Sequence, residues 1–331
     1  MEYRKIQRTG GSSYTISLPK EWVEENGLKE GDALGLQELR TGELLIMPSG
    51  KRHSFGDFTL DIKENEEPKH LLRTLVALYL KGYSTINVRS RGFIQSETRR
   101  VIMEFKSSVI GVEILEERQD AVVLRDLIAT PDLDPLRIMD RMASMVKSDL
   151  AELRPLLKKP LAPQLEEIMQ RDSQIDKMYL FIAKEFNRAL YYPWYEGELG
   201  VSVRRLSSMR NVSKQIERIG DHIESACRLL SEYGNPITEG EIDELLQTSV
   251  VVFDDAYRSY SSSDLALAQS VVDEVESAAE KYIGVLKKYE SAGSIYAFLV
   301  GEDLRRILFY SSDIAEAAID DAVGSEEMPT A

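Results

Sequence analysis

Over the first fifty residues apolar and polar side chains alternate in short runs broken by glycine. Tyr3–Arg8 and Tyr14–Leu18 read as strands on either side of Gly10-Gly11, and Pro19 opens a short amphipathic helix over Glu21–Asn26 that Gly27 stops. Beyond the turn at Gly31-Asp32, Ala33–Leu39 and Glu43–Pro48 read as two more strands, joined through Arg40-Thr41-Gly42. Segments with so little apolar surface seldom hold a core alone, so this one is expected to dimerise. The pattern then changes. Phe58–Ile62, Thr85–Arg89, Val112–Glu116 and Ala121–Arg125 alternate as strands with helical periods at His70–Leu80 and Ile94–Phe105. That order predicts a small α/β unit with its helices on one face of a sheet.

From Asp134-Pro135, an N-cap followed by proline in the first helical position, the period is helical as far as Gly324. Six helices are predicted, near 135–157, 164–190, 201–233, 239–260, 264–290 and 295–323, the fourth opened by a Thr238/Glu241 capping box. In the third, Met209, Val212, Ile216, Ile219, Ile223, Ala226 and Leu230 step by alternating three and four, the seam of a long antiparallel bundle. The six divide into two sets of three. Asp221-His222-Ile223-Glu224-Ser225-Ala226 aligns with Asp313-Ile314-Ala315-Glu316-Ala317-Ala318, and Asp172 weakly with Asp273, as a duplicated three-helix unit would require. The expected fold is therefore multidomain: a β domain over 1–52, a small α/β unit over 53–130, an all-α duplicated bundle over 131–324 and a tail over 325–331.

Charge sharpens this division. The 331 residues carry 41 Lys+Arg against 56 Asp+Glu, a net −15, yet residues 1–52 hold eight basic and eight acidic side chains and sum to zero. Nucleic acid, if bound, should meet that first segment, because everything after it repels a polyanion. A single cysteine, Cys227, and three histidines exclude a disulfide framework and any multi-Cys metal site. No apolar run exceeds six residues, Leu75–Leu80 among them, too short for a bilayer, and the N-terminus lacks a signal-peptide pattern, so a cytoplasmic protein without membrane insertion is expected.

The candidate chemistry is acidic. Glu217, Asp221 and Glu224 fall at i, i+4 and i+7 on one helix, and Asp172 and Asp176 at i and i+4 on the helix before it. Residues four apart share a face, so each pair presents two carboxylates to one point. Asp172 even falls in register with the apolar seam Leu165, Ile168, Ile175, Tyr179, Ile182, Phe186, where a lone charge is costly to bury. All-oxygen ligands suit hard cations such as iron, Mn²⁺ or Mg²⁺. The alternative is a solvated face in which Lys214 pairs Glu217, Arg218 pairs Asp221 and Arg228 pairs Glu224. His222 is a weaker ligand candidate, and Cys227 reads as a small buried hydrophobe.

Glu217-Arg218-Ile219-Gly220-Asp221-His222 resembles the signature of PhoU, the phosphate-uptake regulator, and the resemblance spans about residues 135–323. It implies two three-helix repeats that bind metal through acidic Glu/Asp-x-x-x-Asp pairs, here Glu217/Asp221 and Asp172/Asp176. In the second repeat Phe309 replaces the first glutamate and Ser277 the second aspartate, leaving Asp273, Asp313 and Glu316 as a possible second site. The N-terminal segment has its own likeness. Arg4-Lys5 before a strand, Ser17-Leu18-Pro19-Lys20-Glu21 and Gly27-Leu28-Lys29-Glu30-Gly31-Asp32 resemble the SpoVT/AbrB swapped-hairpin family of DNA-binding dimers. That implies DNA contact by Arg4, Lys5, Arg8 and Lys20, with Ser12 and Ser13 on phosphates. Trp22-Val23 departs from the arginines such domains carry there, and a domain kept only for dimerisation is the alternative.

Two further clusters stand out. Arg89, Arg91, Arg99 and Arg100 flank a helix start and suit either phosphate or solvent, whereas Tyr191, Tyr192, Trp194 and Tyr195 suit either a partner or packing at the bundle end. The expected function is regulation of phosphate uptake by a homodimer that binds DNA, or else an adaptor docking on a phosphate transporter ATPase or a sensor kinase. An enzyme, such as a metal-dependent hydrolase, is not expected, since no nucleophile motif, phosphate-cradling glycine loop or histidine base accompanies the carboxylates.

Overall fold

Gly10, at φ +69°, turns β1 (Gln7–Thr9) into β2 (Ser13–Thr15), and Gly27, at φ +65°, ends the helix α1 (Lys20–Glu25). A second hairpin pairs β3 (Leu34–Glu38) with β4 (Leu44–Pro48), and the two hairpins form separate two-stranded sheets. These belong to the first of two compact units, Met1–Ser54; the other is Phe55–Ala331. The computed structural model describes residues 2–38, 42–48, 55–63, 66–128, 133–237, 240–291 and 294–323. The first strand is shorter than its periodicity predicts. Its ladder begins at Gln7 opposite Thr15, so Tyr3–Ile6 have no strand opposite them and Arg4 and Lys5 precede β1. No described residue of this unit is buried, and Tyr3 and Tyr14 are 85% and 71% exposed.

In the second unit the predicted alternation is present as β5 (Asp57–Ile62), α2 (Pro68–Leu80), β6 (Thr85–Ser90), α3 (Ser96–Ser108), β7 (Val112–Glu117) and β8 (Ala121–Asp126). The strand order is β5-β6-β8-β7, with β5 parallel to β6 and the other pairs antiparallel. Ile62, Ile86, Val88, Val122 and Leu124 share a buried cluster with Leu71 and Leu75 of α2 and Val101, Ile102 and Phe105 of α3. Each such side chain contributes about 1.5–3 kcal/mol by leaving water.

The bundle comprises α4 (Pro135–Lys158), α5 (Ala162–Tyr191), α7 (Val203–Tyr233), α8 (Gly240–Ser262), α9 (Leu265–Ser291) and α10 (Ile295–Val323). Between α5 and α7, where a plain loop was expected, lies a short helix α6 (Tyr195–Leu199), closed by Gly200 at φ +70°. Asp134 caps α4 by accepting from the Leu136 N–H at 2.9 Å. Thr238 of the expected capping box and the expected tail lie outside the described residues. Helices α4, α5 and α7 pack as one set and α8, α9 and α10 as another, with α7 against α10 and α4 against α8. Leu180 of α5 reaches the cluster beneath the sheet, so α2 and α3 are layered between sheet and bundle.

Candidate metal centre

Helices α5 and α7 approach closely because of one missing side chain. A Cβ at Gly220 would stand 2.8 Å from Asp172 Oδ1 and 3.3 Å from Ile175 Cδ1, so the carboxylate of α5 lies over bare backbone of α7. There Asp172, Asp176 and Asp221 bring one carboxylate oxygen each to within 4.8 Å of the others. Asp172 Oδ1 is buried without a hydrogen-bond partner. Burial first, then the charges of Asp176 and Asp221, pushes the Asp172 carboxyl up to about 8. Burial, Glu217 and Asp221 push Asp176 up to about 6, and burial also raises Asp221. Lys214 offsets part of this at Asp176 and Asp221 without contacting either, and three converging carboxylates, one with a stranded oxygen, suit a hard cation. The substitution Gly220→Ala is expected to cost about 1–3 kcal/mol through overpacking and to displace Asp172, a shift that thermal denaturation and cation titration read together.

Glu217, the fourth candidate, is oriented differently. Lys214 donates to both of its carboxylate oxygens while lying 4.8 Å from the Tyr179 ring centre, so the pair expected of a solvated face is formed here, though 8% exposure makes it a largely buried one. Glu224 likewise bonds Arg228. Arg218 instead lies over the Tyr310 ring, and His222 holds Asp303 of α10 at 2.8 Å rather than joining the aspartates. Cys227 is fully buried, its thiol pushed to about 12 by burial. On α4, Asp149 is 2% exposed and faces Arg171 at 2.8 Å in poor alignment; burial drives its carboxyl to about 7.

The second repeat gathers no such group among the described residues. Asp273 and Glu316 are exposed and Asp313 is half-buried. Ser312 stands where the first repeat has Gly220, carrying the very atom that Asp172 would strike, and Arg305 lies over Phe309 in place of a carboxylate.

The N-terminal candidates form surface pairs. Arg4 bonds Glu2, Arg8 donates to the Gly11 carbonyl, Lys20 lies 3.6 Å from Glu24, and Lys5 is exposed. Arg99 and Arg100 are paired with Glu117 and Glu97, while Arg89 and Arg91 are exposed. Of the aromatic quartet, Tyr192, Trp194 and Tyr195 surround Phe55 and only Tyr191 faces solvent.

A charged cluster that spacing did not reveal lies where the sheet meets α5. Lys184 and Arg188 reach Asp126 Oδ2 at 2.6 and 2.8 Å and Glu185 Oε1 at 3.3 and 3.4 Å; Tyr195 donates to Glu185, and Arg188 to the Gly82 carbonyl. All four side chains are at most 3% exposed, and two cations balance two anions. The only sequence signal is that three charges fall within the apolar stretch Met178–Ala189.

Residues 139–230 match the family model described as PhoU domain, a stretch that contains Asp172, Asp176, Glu217 and Asp221 but none of the second set. Over that stretch the chain is PhoU-like. Residues 7–53 match the model described as antidote-toxin recognition MazE, bacterial antitoxin, so the hairpin unit is MazE/AbrB-like and precedes the PhoU-like stretch in one chain. Among solved structures, PhoU from Pseudomonas aeruginosa is 21% identical with a TM-score of 0.48, covering 58% of this chain and 97% of its own. The phosphate transport system regulatory protein PhoU from Streptococcus pneumoniae is 18% identical with a TM-score of 0.45, covering 59% and 95%. No curated protein matches the chain. Among the described residues no helix is long and apolar enough to cross a membrane.

Proposed function

We propose that this chain is a cytoplasmic regulator of phosphate uptake that dimerises and binds DNA through residues 1–52 and holds a divalent or ferric cation in its PhoU-like stretch. The observation that carries the reading is the union in one chain of a MazE/AbrB-like hairpin unit and a PhoU-like stretch whose acidic residues converge. Asp172, Asp176 and Asp221 are the ligands at hand, and Glu217 becomes the fourth when Lys214 releases it. Dimerisation is supported by the exposed Tyr3, Ile6, Tyr14 and Ile16 in a unit with no buried residue among those described, since isolated two-stranded hairpins are marginal in water.

For DNA, the full chain should bind a 30-base-pair duplex of arbitrary sequence at low salt, with affinity falling steeply as salt rises. Replacing Arg4, Lys5 and Arg8 by alanine is expected to abolish binding measured by fluorescence anisotropy. Binding that survives the triple change, or is indifferent to salt, removes the DNA half of the reading. A second reading has its own support: the hairpin unit sums to zero charge and Arg4, Arg8 and Lys20 are already partnered, which suits an adaptor that dimerises there and docks by its bundle on a transporter ATPase or sensor kinase. A dimer in sedimentation that never shifts DNA is the outcome that selects it.

A further inference from the structure

Beside the aspartates, a groove of about 520 Å³ opens between the helices under the sheet and the bundle. Its size lies in the ordinary range for small-molecule sites. Leu72 and Val76 of α2 face Leu180 and Tyr179 of α5 across it, giving apolar walls, and Asp176 and Glu217 line one end. The charge about the groove is net acidic: of Glu104, Asp176 and Glu217 in the lining, Glu217 is matched by Lys214, and the other two stand against Lys177. An anion entering here meets an adverse field, and a neutral apolar molecule leaves the carboxylates unmatched. The chain supplies its own example of what this end accepts, because the Lys214 ammonium sits on Glu217 and against the Tyr179 ring. Asp176, by contrast, has no ammonium in ion-pair contact, Lys214 acting on it only from a distance while bonded to Glu217, and an aromatic wall beside a carboxylate is favourable for an organic cation.

We propose that this groove binds a small amphipathic amine, its apolar body between Leu72, Val76 and Leu180 and its protonated nitrogen on Asp176. Because α2 and α3 belong to the sheet and Asp176 to the bundle, such a ligand touches both layers and ties occupancy of the groove to their packing. The proposal goes beyond the regulatory reading and needs no metal.

The experiment uses the full chain and two probes of matched shape and opposite charge, 2-phenylethylamine and 3-phenylpropionate, titrated by calorimetry in chelator at pH 7.5. Saturable amine binding with no phenylpropionate binding is expected. Asp176→Asn should weaken the amine at least tenfold, and so should Ser107→Trp, which places an indole in the groove from an exposed position of α3. Glu104→Gln, on the opposite wall, should weaken it by a smaller factor. Equal binding of both probes makes the groove merely apolar, tighter binding of phenylpropionate makes it an anion site, and amine binding untouched by Asp176→Asn and Ser107→Trp places the amine elsewhere; each overturns the proposal, as does an amine that fails to bind. Mn²⁺ titrated separately tests the metal reading, so failure of one is distinguishable from failure of the other.

Discussion

Arg188→Met is expected to lower the melting temperature of the chain by roughly 10 °C. The substitution keeps most of the side-chain volume but leaves Asp126 and Glu185 sharing the single cation Lys184, at sites at most 3% exposed. Removing one partner from a buried ionic group typically costs about 3–5 kcal/mol, because the remaining charge is neither hydrated nor matched. For a unit of this size each kcal/mol moves the midpoint by roughly 2–4 °C. The Gly82 carbonyl also loses its donor from Arg188, and Gly82, at φ +85°, offers no side chain to close the gap. Removing Asp126 and Lys184 together, as Asp126→Leu with Lys184→Met, should cost less than Asp126→Leu alone, since the pair Glu185 and Arg188 is left intact. If Arg188→Met melts within a degree or two of the wild type, the tetrad contributes little to holding the sheet on the bundle.

The second large effect concerns acid and metal. In the absence of a cation, the bundle is expected to become less stable as pH rises from about 4 to about 8. The sign follows from proton uptake. The Asp172 carboxyl is held near 8 and that of Asp176 near 6, against an ordinary 3.8, so the folded state binds more protons than the unfolded one throughout that window and stability falls with pH. A bound cation replaces those protons and reverses the situation. Mn²⁺ should therefore stabilise most at the alkaline end, with proton release, and at a hundred times its dissociation constant it adds about 2.7 kcal/mol. Asp172→Asn should raise the stability of the metal-free protein at pH 8 and remove the response to Mn²⁺. Glu217→Gln should weaken that response less, since Lys214 already holds its carboxylate, and Asp313→Asn should leave it unchanged. Melting curves at pH 5 and 8, with chelator and with Mn²⁺, decide the matter: a profile rising with pH, or Mn²⁺ acting equally on wild type and Asp172→Asn, rules the site out.

Much of this architecture is local and therefore legible in a single chain. The strand periods of the α/β unit and the seam Met209–Leu230 place the elements to within a few residues, because burial on one face imposes a period of two or about 3.6. Asp172 with Asp176, and Asp221 on the next helix, are legible for the same reason: i, i+4 spacing sets direction without knowledge of the partner helix. What depends on partners was hidden. The Lys214–Glu217 pair was legible from its spacing, but its burial against Tyr179 was not. Asp126 meets Lys184 and Arg188 only after about sixty residues of chain have folded back, and Gly220 reads as an ordinary weak helix former until Asp172 is seen above it. The strand over Tyr3–Ile6 was overread because its partner strand ends at Thr15.

Cys227 is the sole thiol of the chain and lies sealed in α7, one and a half turns beyond Asp221. Held as a neutral sulfhydryl by burial, it cannot react with a disulfide reagent until α7 locally exposes it. Its labelling rate is therefore a clock for the opening of the bundle beside the aspartates. No engineered probe is needed, and ions, amines and DNA can each be compared by how far they slow it.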